Sequence, residues 1–271
     1  MADLYGLLIR ILITVWCYFI FIMGCIVWGG LGIPLTLLLS RFWPSLRDRF
    51  NDGTQRILGA YIRRLPFIEL EIDRSRRSTS DRSIVLVMNH QSFLDPIVML
   101  SLEPRLSGPA RGYMFRVPIV RSVLKLGRFF LSDSGEPAPL ERMRDGVQEA
   151  LDRRGTLLFY PEGSRTRTGE IEAFRHGAFR MAVEYRLPIQ PVVTDGLHRV
   201  LPPGSLILQT LGRHPVQVRY LDPIEPPYGE GLQRRVVRDL AQRVRLAMVE
   251  ELKALRSERK TLGSERRAAN E

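Results

Sequence analysis

The sequence predicts an α/β fold: a single mixed or mostly parallel sheet behind an N-terminal membrane-embedded helix or helical hairpin. Three observations predict it. Thirty consecutive positions, Ile11 to Ser40, carry no charged side chain. Downstream, short β-branched apolar runs alternate with longer stretches whose apolar residues recur at helical spacing. Two of those runs end directly in polar turns, NHQSFLD and PEGSRTRTG, and ligands of open α/β sheets sit beyond the carboxyl ends of strands.

As one helix the apolar run would extend roughly 45 Å at about 1.5 Å per residue, against a hydrocarbon core of ~30 Å. It is too short for two full spans. Gly29, Gly30, Gly32 and Pro34 are points where the helix would break. Two arrangements follow: one tilted span ending near Gly29, or a helix–break–helix hairpin in one leaflet. A cleaved signal peptide fits less well, because its apolar part is usually only ~7–15 residues. Arg41, Arg47 and Arg49 follow the run and Arg10 precedes it. The positive-inside rule therefore predicts a membrane protein with its bulk on the cytoplasmic face.

After this anchor (1–45), a connecting helix and loop (46–78) is expected, with the helix over 42–65 from the spacing of Ile57, Leu58, Tyr61 and Ile62. Asp73 to Arg82 is a polar break read as a surface loop. The α/β domain then covers 79–225. Ser83 to Asn89 is a buried strand, and Asp95-Pro96 opens a helix, with Asp suited to the cap and Pro to the first turn. Arg128 to Ser132 is a second strand and Leu140 to Arg153 an amphipathic helix. Gly155 to Tyr160 is a third strand and Phe174 to Tyr185 a helix. Ile189 to Val193 is a fourth strand, expected at a sheet edge because Pro191 lies within it. Leu206 to Leu208 and Val216 to Tyr220 supply two more. From 226 to 258 a C-terminal amphipathic helix is written by Leu232, Val236, Leu240, Val244, Met248 and Leu252 at every fourth position. A charged tail, 259–271, completes the chain.

The net charge of +11 is carried almost wholly by arginine, Lys125, Lys253 and Lys260 being the only lysines. This balance favours polyanions: nucleic acid, an anionic lipid surface or phosphorylated small molecules. Nucleic acid is not expected as a partner, because the basic residues are dispersed and no nucleic-acid-binding fold is recognisable. Cys17 and Cys25 both fall in the apolar run, so neither a disulfide framework nor zinc spacing is present, and no metal or cofactor is expected.

His90 follows a strand, and Asp95 lies five residues on. If a helix begins at Asp95, the intervening turn folds its carboxylate back onto the imidazole. A carboxylate on one ring nitrogen fixes the tautomer and frees the other as a general base for a hydroxyl. Taken alone, the spacing favours an ordinary helix cap and a loop histidine, because H-x4-D is common by chance. In the second turn, Gly163 permits close approach of backbone amides to a ligand, while Ser164 and Arg165 can donate to phosphate oxygens. There is no G-x-S-x-G elbow, which disfavours a covalent acyl-enzyme.

Four blocks together resemble the glycerolipid acyltransferase family, which includes the lysophosphatidate (1-acyl-sn-glycerol-3-phosphate) acyltransferases. NHQSFLD resembles its NHxxxxD signature, and YPEGSRTR its FPEGTRS block. Arg111 to Gly127 resembles the second block, with Arg111 where lysine is usual. Phe174 to Val193 is similar to the F-K-x-G-A segment and the P-I-x-P-V strand that follows, with Arg175 for the lysine. The blocks occur in family order from Asn89 to Val193 behind an apolar segment.

The resemblance implies a mixed-sheet acyltransferase domain with His90 as base and Asp95 as its orienting partner. Glu162, Gly163, Ser164 and Arg165, assisted by Arg111, would hold a phosphorylated acceptor. It further implies an acyl-CoA or acyl-carrier-protein donor, a lysophospholipid acceptor and a membrane setting. The expected reaction is transfer to the sn-2 hydroxyl of lysophosphatidate, giving phosphatidate. One departure bears on the acceptor: Ser132 and Asp133 stand where the family commonly has an arginine. Lyso-ornithine lipid and lysophosphatidylglycerol stay open as acceptors, and so does a non-catalytic protein that binds anionic lipid.

Overall fold

The computed structural model describes residues 2–43, 45–103, 105–131, 140–209, 212–227 and 233–268. The apolar run is helical throughout: α1 (Ala2–Cys25), a π-helical segment (Ile26–Gly32) and α2 (Ile33–Leu39) follow one another without reversal. The glycines do not end the helix. They widen it by one π segment, where Gly32 lies so close to Phe50 that a Cβ would meet that ring at 2.9 Å. The chain reverses only after Leu39, and α3 (Ser45–Arg64) runs back antiparallel along the apolar helix. Trp28 stacks on Phe50 at 4.8 Å and donates to the Thr54 hydroxyl, and Tyr61 donates to the Cys17 carbonyl. The hairpin thus forms between the apolar run and the connecting helix, not inside the run.

The central sheet has six strands in the order β1-β8-β7-β2-β6-β3. These are β1 (Ile68–Asp73), β2 (Ile84–Met88), β3 (Leu106–Ser107), β6 (Thr156–Phe159), β7 (Ile189–Asp195) and β8 (His214–Tyr220). Every neighbouring pair is parallel except β7 with β8. β4 (Pro109–Ala110) and β5 (Phe130–Leu131) make a separate parallel pair. The helices are α4 (Asp95–Leu102), α5 (Pro118–Leu126), α6 (Leu140–Asp152), α7 (Gly177–Tyr185), α8 (Leu197–Val200) and α9 (Arg234–Ala268). Strand side chains alternate between faces. Val85 and Val87 pack with Phe179, Val244 and Met248 on one side, while Leu86 and Met88 pack with Ile62, Val98 and Met99 on the other. Helices cover both faces, which is why β2 is apolar at every position.

Several expectations are corrected. β7 is interior, between β2 and β8, despite Pro191. The Leu221 amide donates to the Pro191 carbonyl, and the Leu221 carbonyl, which an N–H at 191 would have met, takes the Gln190 side-chain amide instead, before antiparallel pairing resumes at Ile189 and Ile224. Leu206 to Leu208 is not a strand. Its Leu208 amide donates to the Thr14 hydroxyl and the Gln209 amide to the Val200 carbonyl, which docks this segment on α1 instead of the sheet. Of the strand expected over Arg128 to Ser132, the described residues contribute Phe130 and Leu131 as β5, outside the main sheet, and Ser132 lies outside the described residues. Ile68 to Asp73 is a sheet strand inside the stretch read as a connector. The polar break after it is anchored: Arg77 donates through Nε and Nη2 to Glu103, which is fully buried and also takes the Tyr220 hydroxyl at 2.6 Å. α9 continues past Arg256 to Ala268.

Candidate active site

β2 and β6 are parallel neighbours, with Val87 opposite Phe159, so the polar turns that leave them emerge side by side at one edge of the sheet. After Met88 the chain turns through Asn89, whose side chain is locked to β7. Its amide donates to the Thr194 carbonyl and its carbonyl accepts from the Thr194 amide. His90 follows, with its Nδ1 2.8 Å from Asp95 Oδ2. Asp95 is fully buried, and the same Oδ2 accepts the Gln91 amide at 2.6 Å and the Ser92 amide at 2.7 Å. The carboxylate therefore closes the turn on itself and does not cap α4 as the sequence predicted. A carboxylate accepts, so Nδ1 carries the proton and Nε2 is left as a basic nitrogen. The Tyr160 ring stacks on the imidazole at 4.1 Å, 22° from parallel, and holds it in place.

The second turn is fastened to the first. Glu162, nearly buried, accepts the His90 amide at 2.9 Å through Oε1 and the Glu172 amide at 3.3 Å through Oε2. The Thr166 amide donates to the His90 carbonyl at 2.8 Å. Gly163 adopts φ +74°, and a Cβ there would meet Arg175 Nε at 2.6 Å, so the position suits only glycine. Its amide closes the turn onto the Tyr160 carbonyl at 3.0 Å, and its carbonyl accepts from Arg111 at 2.5 Å. Ser164 and Arg165 are exposed, and among the described residues neither their side chains nor their backbone amides have a hydrogen-bond partner. The residues singled out from the sequence thus divide by geometry. His90, Asp95 and Glu162 are interlocked. Gly163 and Arg111 shape the loop, and Ser164 and Arg165 face outward with free donors. Ser132 and Asp133 lie outside the described residues. No cluster of metal-ligating side chains occurs among the described residues.

Tyr160, Gln91 and His198 were not singled out as site residues from the sequence. Gln91 is buried; its Nε2 donates to the Gly169 carbonyl, and its Oε1 accepts from His198 Nδ1, 3.1 Å away. Only the aromatic residue preceding Pro161, beside the one histidine that leaves a strand, offered a signal for any of them.

Burial pushes the Glu162 carboxyl up to about 7, against the lowering effect of the His90 and Glu172 amides. The folded protein therefore holds this proton more tightly than the unfolded chain does. Below the ordinary carboxyl range both states are protonated and nothing is lost. As pH rises toward 7 the unfolded chain ionises first, and the fold loses about 3 kcal/mol. Glu162→Gln cannot ionise. Its Tm should fall less than that of the wild type between about pH 5 and about pH 8. Parallel Tm profiles would mean that Glu162 does not titrate in this window.

Comparison with known proteins places this geometry. Residues 69–195, which contain both turns, match the Acyltransferase family. A curated 1-acyl-sn-glycerol-3-phosphate acyltransferase of Limnanthes douglasii is 27% identical over 210 residues, 77% of this chain and 71% of that protein. Another protein of the same description from Saccharomyces cerevisiae is 30% identical over 176 residues, 63% of this chain and 56% of that protein. The fold is that of the 1-acyl-sn-glycerophosphate acyltransferase PlsC from Thermotoga maritima, with a TM-score of 0.72 at 22% identity, covering 90% of this chain and 96% of that one. A histidine held by a buried aspartate beside a second polar turn is suited to drawing a proton from a hydroxyl, and the chain is an acyltransferase whose residues 69–195 are those of the Acyltransferase family.

Proposed function

We propose that the chain is a 1-acyl-sn-glycerol-3-phosphate O-acyltransferase that moves a fatty acyl group from acyl-CoA or acyl-carrier protein to the sn-2 hydroxyl of lysophosphatidate. The observation that carries this reading is the His90–Asp95 pair, which leaves Nε2 free, in a turn fastened through Glu162 to the loop that carries Arg165. His90 Nε2 takes the hydroxyl proton as the oxygen attacks the thioester carbonyl carbon. The C–O bond forms, the tetrahedral intermediate collapses with loss of the C–S bond, and Nε2 returns the proton to the leaving thiolate. Asp95 stabilises the imidazolium in between. The open amides of Ser164 and Arg165 are donors for the transient oxyanion, and the Arg165 guanidinium for the acceptor phosphate.

A lipid substrate is supported by the cleft beside the site. Phe93 and Leu94 of the catalytic turn line it together with Cys17, Tyr18 and Phe21 of α1, so the apolar helix leads to the His90 turn. The helix over Leu4–Leu39 is long and apolar enough to cross a membrane. Leu8, Leu12, Val15, Trp16, Phe19, Leu31 and Leu35 are all exposed along it, a larger apolar patch than a soluble monomer shows. Against a full span, α3 packs alongside through Phe50, Thr54 and Tyr61 and carries Arg47, Arg49, Arg56, Arg63 and Arg64. Arg10 and Thr14 also touch the catalytic domain at Gln209 and Leu208. A span would draw those arginines through hydrocarbon, at about 2.5–3.5 kcal/mol each. The reading is therefore attachment to one leaflet on the cytoplasmic face. A glycosylation tag at the N-terminus should stay unmodified, on the same side as the catalytic domain; modification would mean a span.

The activity is tested with purified full-length protein in detergent, offered labelled oleoyl-CoA and then acyl-carrier protein, with lysophosphatidate as acceptor. Phosphatidate is the expected product. Folded protein that makes none from either donor, but acylates lyso-ornithine lipid or lysophosphatidylglycerol, would overturn the acceptor assignment and leave acyl transfer standing.

A further inference from the structure

The family match ends at residue 195, and α9 begins at Arg234. Two of its arginines are tied to the loop that follows the second turn. Arg245 donates through Nε to the Glu172 carbonyl at 2.8 Å and through Nη2 to the Ile171 carbonyl at 3.1 Å. Arg256 donates through Nη2 to the Gly169 carbonyl at 2.9 Å and through Nε to Asp195 at 3.3 Å, and its Nη1 pairs with Glu170. Arg259 holds the other oxygen of Asp195 at 2.6 Å, and Asp195 is fully buried. Residues eleven apart on a helix differ by only about 20° in direction, so Arg245 and Arg256 lie on one face, roughly 16 Å apart along the axis.

The carbonyls they hold, those of residues 169, 171 and 172, form the return limb of the loop whose outgoing limb carries Glu162, Ser164 and Arg165. That limb touches the catalytic turn at both ends. The Glu172 amide shares the Glu162 carboxylate with the His90 amide. The Gly169 carbonyl receives Gln91 as well as Arg256. Gly169 has φ +80°, and a Cβ there would meet His198 Cε1 at 2.6 Å and Arg256 Nη2 at 3.0 Å, so the loop is tightly enclosed at this point.

We infer that α9 is a clamp of the active site: Arg245 and Arg256 are positioning residues that hold the 160–172 loop against the His90 turn and so set Glu162, Arg165 and His90 for transfer. The inference rests on the assignment of His90 as the base. Misplacement of a reacting group by about 1 Å costs up to about 10²-fold in rate. The clamp acts on position and touches no substrate, so its loss lowers kcat.

The test uses the full-length protein in detergent. Arg245→Ala, Arg256→Ala, Arg256→Lys and the control Arg238→Ala are compared for kcat, KM and Tm with oleoyl-CoA and lysophosphatidate, and for hydrogen exchange at the Thr166 and Glu172 amides. Arg238 is on the same helix but contacts only its neighbour Asp239. Expected are a fall in kcat of about tenfold or more for each alanine variant, faster exchange at those two amides alone, and partial recovery with Arg256→Lys. Arg245→Ala uncovers no buried charge, so it remains informative should Arg256→Ala, which exposes Asp195, fold poorly. Unchanged kcat and exchange in Arg245→Ala would overturn the clamp. So would loss of activity accompanied by faster exchange throughout the domain, which marks general destabilisation. If the wild type transfers no acyl group, the functional reading fails, and the exchange arm still decides whether α9 orders the loop.

Discussion

His90→Ala should lower kcat for acyl transfer by about 10³-fold while the protein stays folded, because the substitution removes both the base and the acid of the reaction. The imidazole has one nitrogen committed to Asp95 and the other unbound by any described residue, so nothing else in the turn can take the acceptor proton. Ser92, the nearest hydroxyl in the sequence, donates to the Leu201 carbonyl and accepts the Leu94 amide, which leaves it structural. The His90 side chain is about one fifth exposed, at 19%, so its truncation opens little core and Tm should hardly move. The comparison is made with labelled oleoyl-CoA under single-turnover conditions, where release of product does not mask the chemical step. Transfer retained within about tenfold would displace His90 from the chemistry and return it to the role of a loop residue stacked on Tyr160.

Much of this site was legible because it is local. NHQSFLD places an imidazole and a carboxylate in one turn between a strand and a helix, and the structure closes that turn with a single Asp95 oxygen. The runs IVLVM and TLLF were legible as buried strands from composition alone, since helices cover both faces of the sheet. The link between Glu162 and the His90 amide was not legible. It spans 72 positions and depends on β2 and β6 being neighbours, which no local pattern states. The same holds for Arg245 and Arg256, whose backbone-carbonyl partners lie more than 70 positions away and have no sequence signature. β1 did have a signal. Ile68, Leu70 and Ile72 alternate with Glu69, Glu71 and Asp73, as expected of an edge strand with one polar face, but the polar break beside it drew the segment into a connector. Pro191 misled because the rule that confines proline to edges concerns a missing donor, and here the Gln190 side chain serves the Leu221 carbonyl in its place.

Asp95 yields the other large effect, and two substitutions there separate charge from geometry. Its Oδ2 takes three donors, the Gln91 and Ser92 amides and the His90 imidazole, while Oδ1 is buried without a partner. Asp95→Asn retains a carbonyl oxygen for the two amides, so the turn keeps its shape and Tm should stay near that of the wild type. The same oxygen still accepts from Nδ1, so the variant keeps the tautomer and loses the negative charge that stabilises the imidazolium. The expected fall in kcat is about 10²-fold or more, with KM for the acceptor unchanged. Asp95→Ala removes the acceptor altogether and leaves two buried amides unpaired, at about 1–3 kcal/mol each. It should therefore lose both activity and several degrees of Tm. If Asp95→Asn keeps full activity, the carboxylate serves only to close the turn and His90 acts without an orienting charge. If Asp95→Asn loses as much Tm as Asp95→Ala, the ionised carboxylate is itself part of the fold, and the kinetic loss cannot be assigned to the imidazolium.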